Sequence, residues 1–485
     1  MSEAATESDD GRSPLERVLG VITHVKAGEG VDALLMTLNI GLLLTAYYVI
    51  KPVREGLILA IEGGTEYKAY LAGVIALTLL FAVPAYGAVA KKLPRNQLVI
   101  GVTLFFASHL VLFRLIANVA AVQSWLGFLF FVWVGVFNMM VVAQFWAFAN
   151  DIYVEEQGKR LFPLIGIGAA SGAALGSQVT ELLVVRLGTA TMLLVSMGLL
   201  ASCGVITQLV HVRAKAKKAQ QDEPPLSEVK ESLKNTVVGT DGAALKKAIE
   251  AEKARVEAKG SPKPKPKAST GAFAMVFKYR YLTLLAAFSL LFTFVNSNGE
   301  YILGVVIKAA AKEKIASGAM AGVPLGDVIS EMFANFFKWV NVITLILQGL
   351  VVSRLVKYAG LKDAVMLTVA PILLMVRIFK TAENAADYSI NNTSRQMLWL
   401  PTTKTMKYVA KQAVDTFFVR MGDVAAAIMV ALLAGWLQYG VRVFAVLNIA
   451  LAVGTIFVCL AILKEQVVIK RLRDAGELPD DLPES

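Results

Sequence analysis

Apolar residues fall along this chain in long runs separated by short polar breaks, and most runs approach the ~20 residues a helix needs to cross a bilayer. Six runs precede residue 212, at about 32–56, 69–91, 97–119, 123–149, 161–184 and 187–210. Six more follow residue 271, at about 280–308, 328–355, 363–380, 383–400, 411–438 and 441–464. Two depart from a plain apolar stripe: 161–184 is rich in glycine and 383–400 is strongly polar. The pattern predicts an all-α polytopic membrane protein of twelve transmembrane helices in two six-helix halves.

Between the two sets, residues 212–271 are rich in Lys, Glu, Ala and Pro and close on alternating proline and lysine, Pro262 to Lys267. Such a run is extended and semi-rigid, and 243–258 is expected to form a short surface helix. The segment reads as a cytoplasmic tether between an N-terminal half, 32–211, and a C-terminal half, 272–465. A basic segment beside a membrane also suits acidic lipid headgroups. Residues 1–31 are expected to form a polar cytoplasmic tail, acidic at its start and without the apolar core of a cleavable signal peptide, and 466–485 a second cytoplasmic tail.

Positive residues test that organisation. Lys91 and Lys92 follow the second run, Lys159 and Arg160 the fourth, and Lys470 and Arg471 the twelfth. The turns after the third and eleventh runs carry at most Arg442. By the positive-inside rule both termini and the linker face the cytoplasm, and the expected location is the cell inner (plasma) membrane. Six spans, a long linker and six more spans are the outline of the major facilitator architecture, whose halves rock about a site near the bilayer midplane.

Composition narrows the chemistry. The chain is 56% hydrophobic and 18% charged, with mean hydropathy +0.60, against roughly 45–50% and about 25% for a soluble domain. One soluble core does not account for that. The formal charge of +11 is assigned to loops facing anionic lipid, so the bilayer and not nucleic acid is the expected partner. Cys203 and Cys459, the only cysteines, both lie in apolar runs, which excludes a disulfide scaffold. His24, His109 and His211 are too scattered for a multi-histidine metal centre. No Walker GxxxxGK[ST] motif and no Ser-His-Asp or Cys-His arrangement occurs, so neither an enzyme nor a cofactor is expected. Gly166 and Gly168 give a partial GxGxxG with no preceding strand; with Gly172 and Gly176, Gly168 instead has the small-xxx-small spacing of close helix packing.

Charges within apolar runs are costly and usually face a bundle interior or a water-filled cavity. Lys51, Arg54 and Glu55 occupy i, i+3 and i+4 of the first span, beside Pro52, which weakens the helix there. Asn296 and Glu300 share a face of the seventh span, and Asn335, Lys338 and Asn341 mark the eighth. Asn384, Asp387, Asn391, Ser394 and Arg395 recur at steps of three and four in the tenth. Lys411 and Asp415 continue at helical spacing into the eleventh, followed by Arg420 and Asp423. Lys51 also fits a snorkelling residue, and Arg420 with Asp423 a self-neutralising structural pair. Candidate cations outnumber candidate anions, which favours a polyanionic ligand held by charge-assisted hydrogen bonds. Tyr47, Tyr48 and Trp399 lie near these charges and suit either stacking or an interfacial belt.

Three stretches, YYVIKPVREGL (47–57), FWAFANDIYVEEQGKRLFPLIGIGA (145–169) and ADYSINNTSRQMLWLPTTKTMKYVAKQAVD (386–415), resemble the nucleotide transporter family of plastid and bacterial ATP/ADP translocases. The similarity covers roughly 33–211 and 272–465. It implies ATP:ADP antiport by alternating access, with nucleotide binding and without hydrolysis. The family's substrate-contacting Lys of span one falls on Arg54, its acidic residue of span seven on Glu300, and its essential Lys near the start of span eleven on Lys411. Val134 stands where the family carries an acidic residue in span four, which marks a divergent branch.

The expected function is exchange or import of a nucleotide-like anion, with Lys51, Arg54, Glu300, Asn391, Arg395, Lys411 and Asp415 as substrate-binding residues. A proton-coupled carrier of a non-nucleotide organic anion, with Glu300 as the proton carrier, keeps the same fold. A scaffold or sensor acting through the basic linker is the reading from another class.

Overall fold

The computed structural model describes residues 12–20, 23–90, 94–117, 119–153, 155–222, 272–347, 376–387, 395, 398–399, 401–403, 406 and 410–475. Among these there are helices and turns and no strand. Asn391, the linker beyond Asp222 and most of the expected ninth and tenth spans lie outside the described residues.

A short helix α1 (Pro14–Leu19) opens the described chain. Six long helices then run where the first six apolar runs lie: α2 (Gly30–Leu59), α3 (Gly64–Ala90), α4 (Arg95–Ile116), α5 (Ala120–Ile152), α6 (Glu155–Leu187) and α7 (Thr189–Asp222). Beyond the linker come α8 (Ala272–Lys278), α9 (Arg280–Ala316), α10 (Leu325–Ile346) and α11 (Val376–Ala386). The chain then forms α12 (Lys411–Ala413), wide π turns over Val414–Phe418, α13 (Val419–Val430), further π turns over Ala431–Trp436, and α14 (Val441–Asp474). Among the described residues eight helices are long and apolar enough to cross a membrane, α13 being counted together with the π turns that continue it to Trp436. α2, at 30 residues, is about 45 Å long at 1.5 Å per residue, ample for a hydrocarbon core of ~30 Å. α11 runs across 381–382, where hydropathy predicts a turn, because Lys380 and Glu383 pair at 3.1 Å on consecutive turns of one helix.

The glycine spacing of the fifth span does what such spacing allows. A Cβ at Gly172 would stand 2.1 Å from the Gly41 carbonyl oxygen, one at Gly176 2.4 Å from that of Thr45, and one at Gly168 2.5 Å from that of Thr37. α2 and α6 thus meet backbone to backbone along three turns. The contact also serves Pro52, which removes the N–H that the Tyr48 carbonyl would use. The Thr180 hydroxyl donates to the Gly176 carbonyl of its own helix at 2.9 Å and lies 3.3 Å from the Val49 carbonyl and 3.5 Å from that of Tyr48, so a polar group of α6 flanks the loosened turn.

The largest apolar core joins α2–α7 to the parts of α9 and α10 that flank the 317–324 turn, including Leu303, Ile307, Phe333 and Phe337. At the other end of the C-terminal half, Tyr281, Leu285, Trp399 and Ile462 form a separate core. Among the described residues the halves are therefore joined at the end bearing the 60–63 and 317–324 turns. There Gly56 faces Gly326 and Ser330, the Lys308 ammonium donates to the Ile61 carbonyl at 2.7 Å, and Asp327 accepts the Thr189 N–H at 3.0 Å.

At the opposite end, residues expected as part of a polar tail are pinned to the N-terminal half. Ser13 and Glu16 form a reciprocal cap on α1, and Glu16 also accepts the N–H groups of Gly28 and Gly30 at 2.7 and 3.2 Å. Arg160 of α6 grips Glu29 with two hydrogen bonds of 2.9 Å.

Candidate functional site

Helical spacing brings charges from both halves to one cavity of about 260 Å³. α2 supplies Lys51 and Arg54, α3 supplies Lys68, α9 supplies Asn296 and Glu300, and α13 supplies Arg420 and Asp423. Each contribution follows from residues three or four apart sharing a helix face.

The charges are linked in a chain. Arg54 bonds the neighbouring Glu55, whose side chain is only 1% exposed. The Lys68 ammonium lies 2.7 Å from Glu55 and 3.4 Å from Glu300, so it joins a carboxylate of its own half to one of the other. Glu300 also accepts the Asn384 amide at 3.3 Å. Behind it, buried Lys380 donates to Asn296 Oδ1 at 2.6 Å. Gly299 makes room for that lysine, since a Cβ there would stand 3.0 Å from its Nζ. Charges in a bilayer persist when paired in this way, because an uncompensated one carries a large desolvation cost.

Aromatic rings hold two of the cations. Lys51 Nζ lies 3.9 Å from the centroid of Phe337 and 5.1 Å from that of Tyr48, and the Arg54 guanidinium carbon lies 4.4 Å from that of Phe131. Ring faces stabilise a cation without neutralising it. Arg420 pairs with Asp423 at 2.9 Å, and Ser297 donates to the same carboxylate at 2.7 Å. Both members of that pair line the cavity.

Of the residues expected to bind substrate, Lys51, Arg54 and Glu300 line one cavity. Arg395, Lys411 and Asp415 come together elsewhere: Asp415 lies 3.0 Å from Lys411 and 3.2 Å from Arg395, and none of the three lines the cavity. Asn391 is outside the described residues. Tyr47 lines the cavity, whereas Trp399 is buried in the separate core. Val134 is fully buried in the main core.

Sequence reasoning missed Lys68, Lys380, Glu383 and Glu181. Lys68 directly precedes the second apolar run and looks like a flanking charge. Lys380 and Glu383 straddle an expected turn. Glu181 left a usable signal, being the only carboxylate within the run 161–184. It crosses to the other half, accepting from Lys338 at 2.5 Å and from Asn335 at 2.7 Å.

No protein-family model matches this chain, and no curated protein does. Solved structures do. The nucleoside transporter NupG aligns over 89% of this chain and 98% of its own, with TM-score 0.57 and 12% identity. A peptide transporter POT in complex with sulfate aligns over 95% and 99%, with TM-score 0.51 and 12% identity. A POT family transporter in complex with 5-aminolevulinic acid aligns over 90% and 96%, with TM-score 0.53 and 10% identity. At such low identity the likeness concerns the fold. The chain is an all-α membrane protein with the major facilitator fold.

Proposed function

We propose that this protein is a secondary transporter that carries a phosphorylated, nucleotide-class anion by alternating access. The observation that carries the reading is the cavity between the halves. Four cations line it, Lys51, Arg54, Lys68 and Arg420, against two carboxylates, Glu300 and Asp423. With Glu55, which bonds Arg54 and Lys68 from behind the wall, the described cluster keeps an excess of one positive charge. Such a charge in a site with apolar walls attracts an anion, and lysine and arginine grip phosphate by charge-assisted hydrogen bonds.

In this reading Arg54, Lys51 and Lys68 take the phosphates, Glu300 balances the charge across the halves, and Tyr47 offers a ring face to a base. Asn391, Arg395, Lys411 and Asp415 are candidates for later contacts along the path, since the described cavity does not reach them. ATP/ADP exchange rests on the resemblance of 47–57, 145–169 and 386–415. The inner membrane location, with both termini cytoplasmic, rests on the distribution of lysine and arginine.

Proteoliposomes preloaded with ADP and supplied with labelled ATP test it. Uptake that needs internal nucleotide, and that Arg54→Ala reduces, supports the reading. No uptake of any nucleotide, with uptake of another organic anion that stops when the proton gradient is collapsed, replaces it with proton-coupled transport. Glu300 favours that second reading, because it is a carboxylate that lines the cavity and bridges the two halves.

A further inference from the structure

A second cavity, about 930 Å³, lies between the halves at the end bearing the 60–63 and 317–324 turns. It shares no lining residue with the cavity around Arg54 and Glu300, and its size falls within the roughly 300–1,000 Å³ usual for small-molecule sites. One side layer parts the two. Tyr301 lines the inner cavity and gives its hydroxyl, at 3.4 Å, to Glu66, which lines the outer one. Beside it runs the Lys68–Glu300 bridge.

The outer cavity carries charges of both signs on different elements. The α2–α3 turn and the start of α3 present Glu62 and Glu66, while α9 presents Lys308 and Lys312, four residues apart and so on one helix face. Tyr67 and Tyr70 add two rings, edge to face with centroids 6.3 Å apart. Lys308 already holds the Ile61 carbonyl, whereas Lys312 stands exposed.

A plain anion meets two carboxylates there, and a plain cation meets two lysines. The set suits a molecule with an anionic end and a planar end that donates hydrogen bonds. We propose that this vestibule is an outer docking station for a nucleotide with an exocyclic amino group, where the substrate lodges before the side-chain layer parts. Lys312 and Lys308 hold the phosphates, Tyr67 and Tyr70 offer ring faces, and Glu62 accepts from the amino edge. The proposal rests on the nucleotide reading given above. A phosphoethanolamine lipid headgroup also combines amine and phosphate, so the test separates the two.

Ala309 lines the vestibule and is exposed, and both native cysteines are buried, so Ala309→Cys provides a single reactive thiol. The full-length protein in phosphatidylcholine vesicles is treated with a charged thiol reagent, with and without ATP. ATP is expected to slow labelling severalfold in A309C and in A309C with Arg54→Ala, but not in A309C with Lys312→Ala; inorganic phosphate is expected to protect less. Labelling unaffected by ATP in every background overturns the proposal. So does protection that Arg54→Ala abolishes and Lys312→Ala spares, since that marks a response to the inner site. Labelling already slow in phosphatidylethanolamine vesicles without ATP, and restored by Lys312→Ala, assigns the site to lipid and also overturns it. Protection without ATP uptake sinks the transport reading and leaves the docking station. Uptake without Lys312-dependent protection does the reverse.

Discussion

The Lys68 ammonium reaches Glu300 of the opposite half at 3.4 Å while staying 2.7 Å from Glu55 of its own. One lysine therefore ties the two halves together inside the cavity an anionic substrate would enter. Lys68→Met leaves Glu55 to Arg54 alone and strips Glu300 of its cross-half partner. Removing one member of a buried pair costs about 3–5 kcal/mol, and the 10% and 25% exposure of these side chains places this pair toward the low end. Initial uptake in proteoliposomes is expected to fall at least about tenfold, and Lys68→Arg to recover part of it. Uptake within a factor of two of wild type, with unchanged melting temperature, removes Lys68 from the mechanism.

Arg54 and Lys411 are separable. Arg54 lines the cavity against the ring of Phe131, whereas Lys411 is tied to Asp415 outside it. If Arg54 takes the substrate's phosphate as proposed, Arg54→Ala is expected to raise KM about tenfold or more. Lys411→Ala is expected to leave KM within about threefold and to act on the maximal rate. Concentration series for the two variants decide this, and equal KM effects place Lys411 in the same site.

The long helices were legible in the sequence because hydropathy over ~20 residues is a strong signal. The α2–α6 contact was legible too, because glycines four apart leave one helix face bare for a neighbour. Lys51, Arg54 and Glu300 could be picked out as charges within apolar runs. Lys68 could not, and Glu181, though visible as the only carboxylate of its run, gave no sign of its partner; the partners lie 232 and 157 residues away in the chain. No periodicity along one helix records a pairing between two halves. Lys411 shows the opposite failure: its helical spacing to Asp415 describes a local pair and carries no information on distance from the cavity.

Packing of α2 on α6 gives a clean control. Gly172→Ala places a methyl group 2.1 Å from the Gly41 carbonyl oxygen, and neither backbone can yield without separating the helices. Forced overpacking of this kind costs about 1–3 kcal/mol or more. Gly166→Ala, in the same helix, meets nothing within 4 Å. The first is expected to lower the melting temperature of the purified protein clearly, and the second to leave it unchanged. Equal melting temperatures contradict the close approach.

Glu181 and Lys338 join α6 to α10 at 2.5 Å, with side chains 17% and 19% exposed. Lys338→Met leaves the carboxylate with Asn335 only, and destabilisation of about 1–3 kcal/mol is expected from the unpaired charge. Glu181→Gln combined with Lys338→Met removes both charges and is expected to recover much of that loss. The coupling from the double-mutant cycle is the measurement, and additivity within about 0.5 kcal/mol shows that the pair contributes nothing of its own.

Acid should loosen the segment entering α2. Burial opposes ionisation of Glu29, but the Arg160 guanidinium, the Lys26 N–H and the Gln157 amide outweigh it and hold this carboxyl below the usual glutamate range. Because the folded state binds this proton less readily than the unfolded one, the stabilisation is complete above the ordinary value of about 4.3. It is lost as pH falls through the lower folded value. Arg160 then loses its bidentate partner, and the 26–30 segment loosens from α6. Hydrogen-exchange protection over 26–30 is expected to drop in wild type below that pH. Glu29→Gln is expected to show reduced protection already at neutral pH, with little further change on acidification. A variant that keeps the wild-type acid response would place the sensitive carboxylate elsewhere.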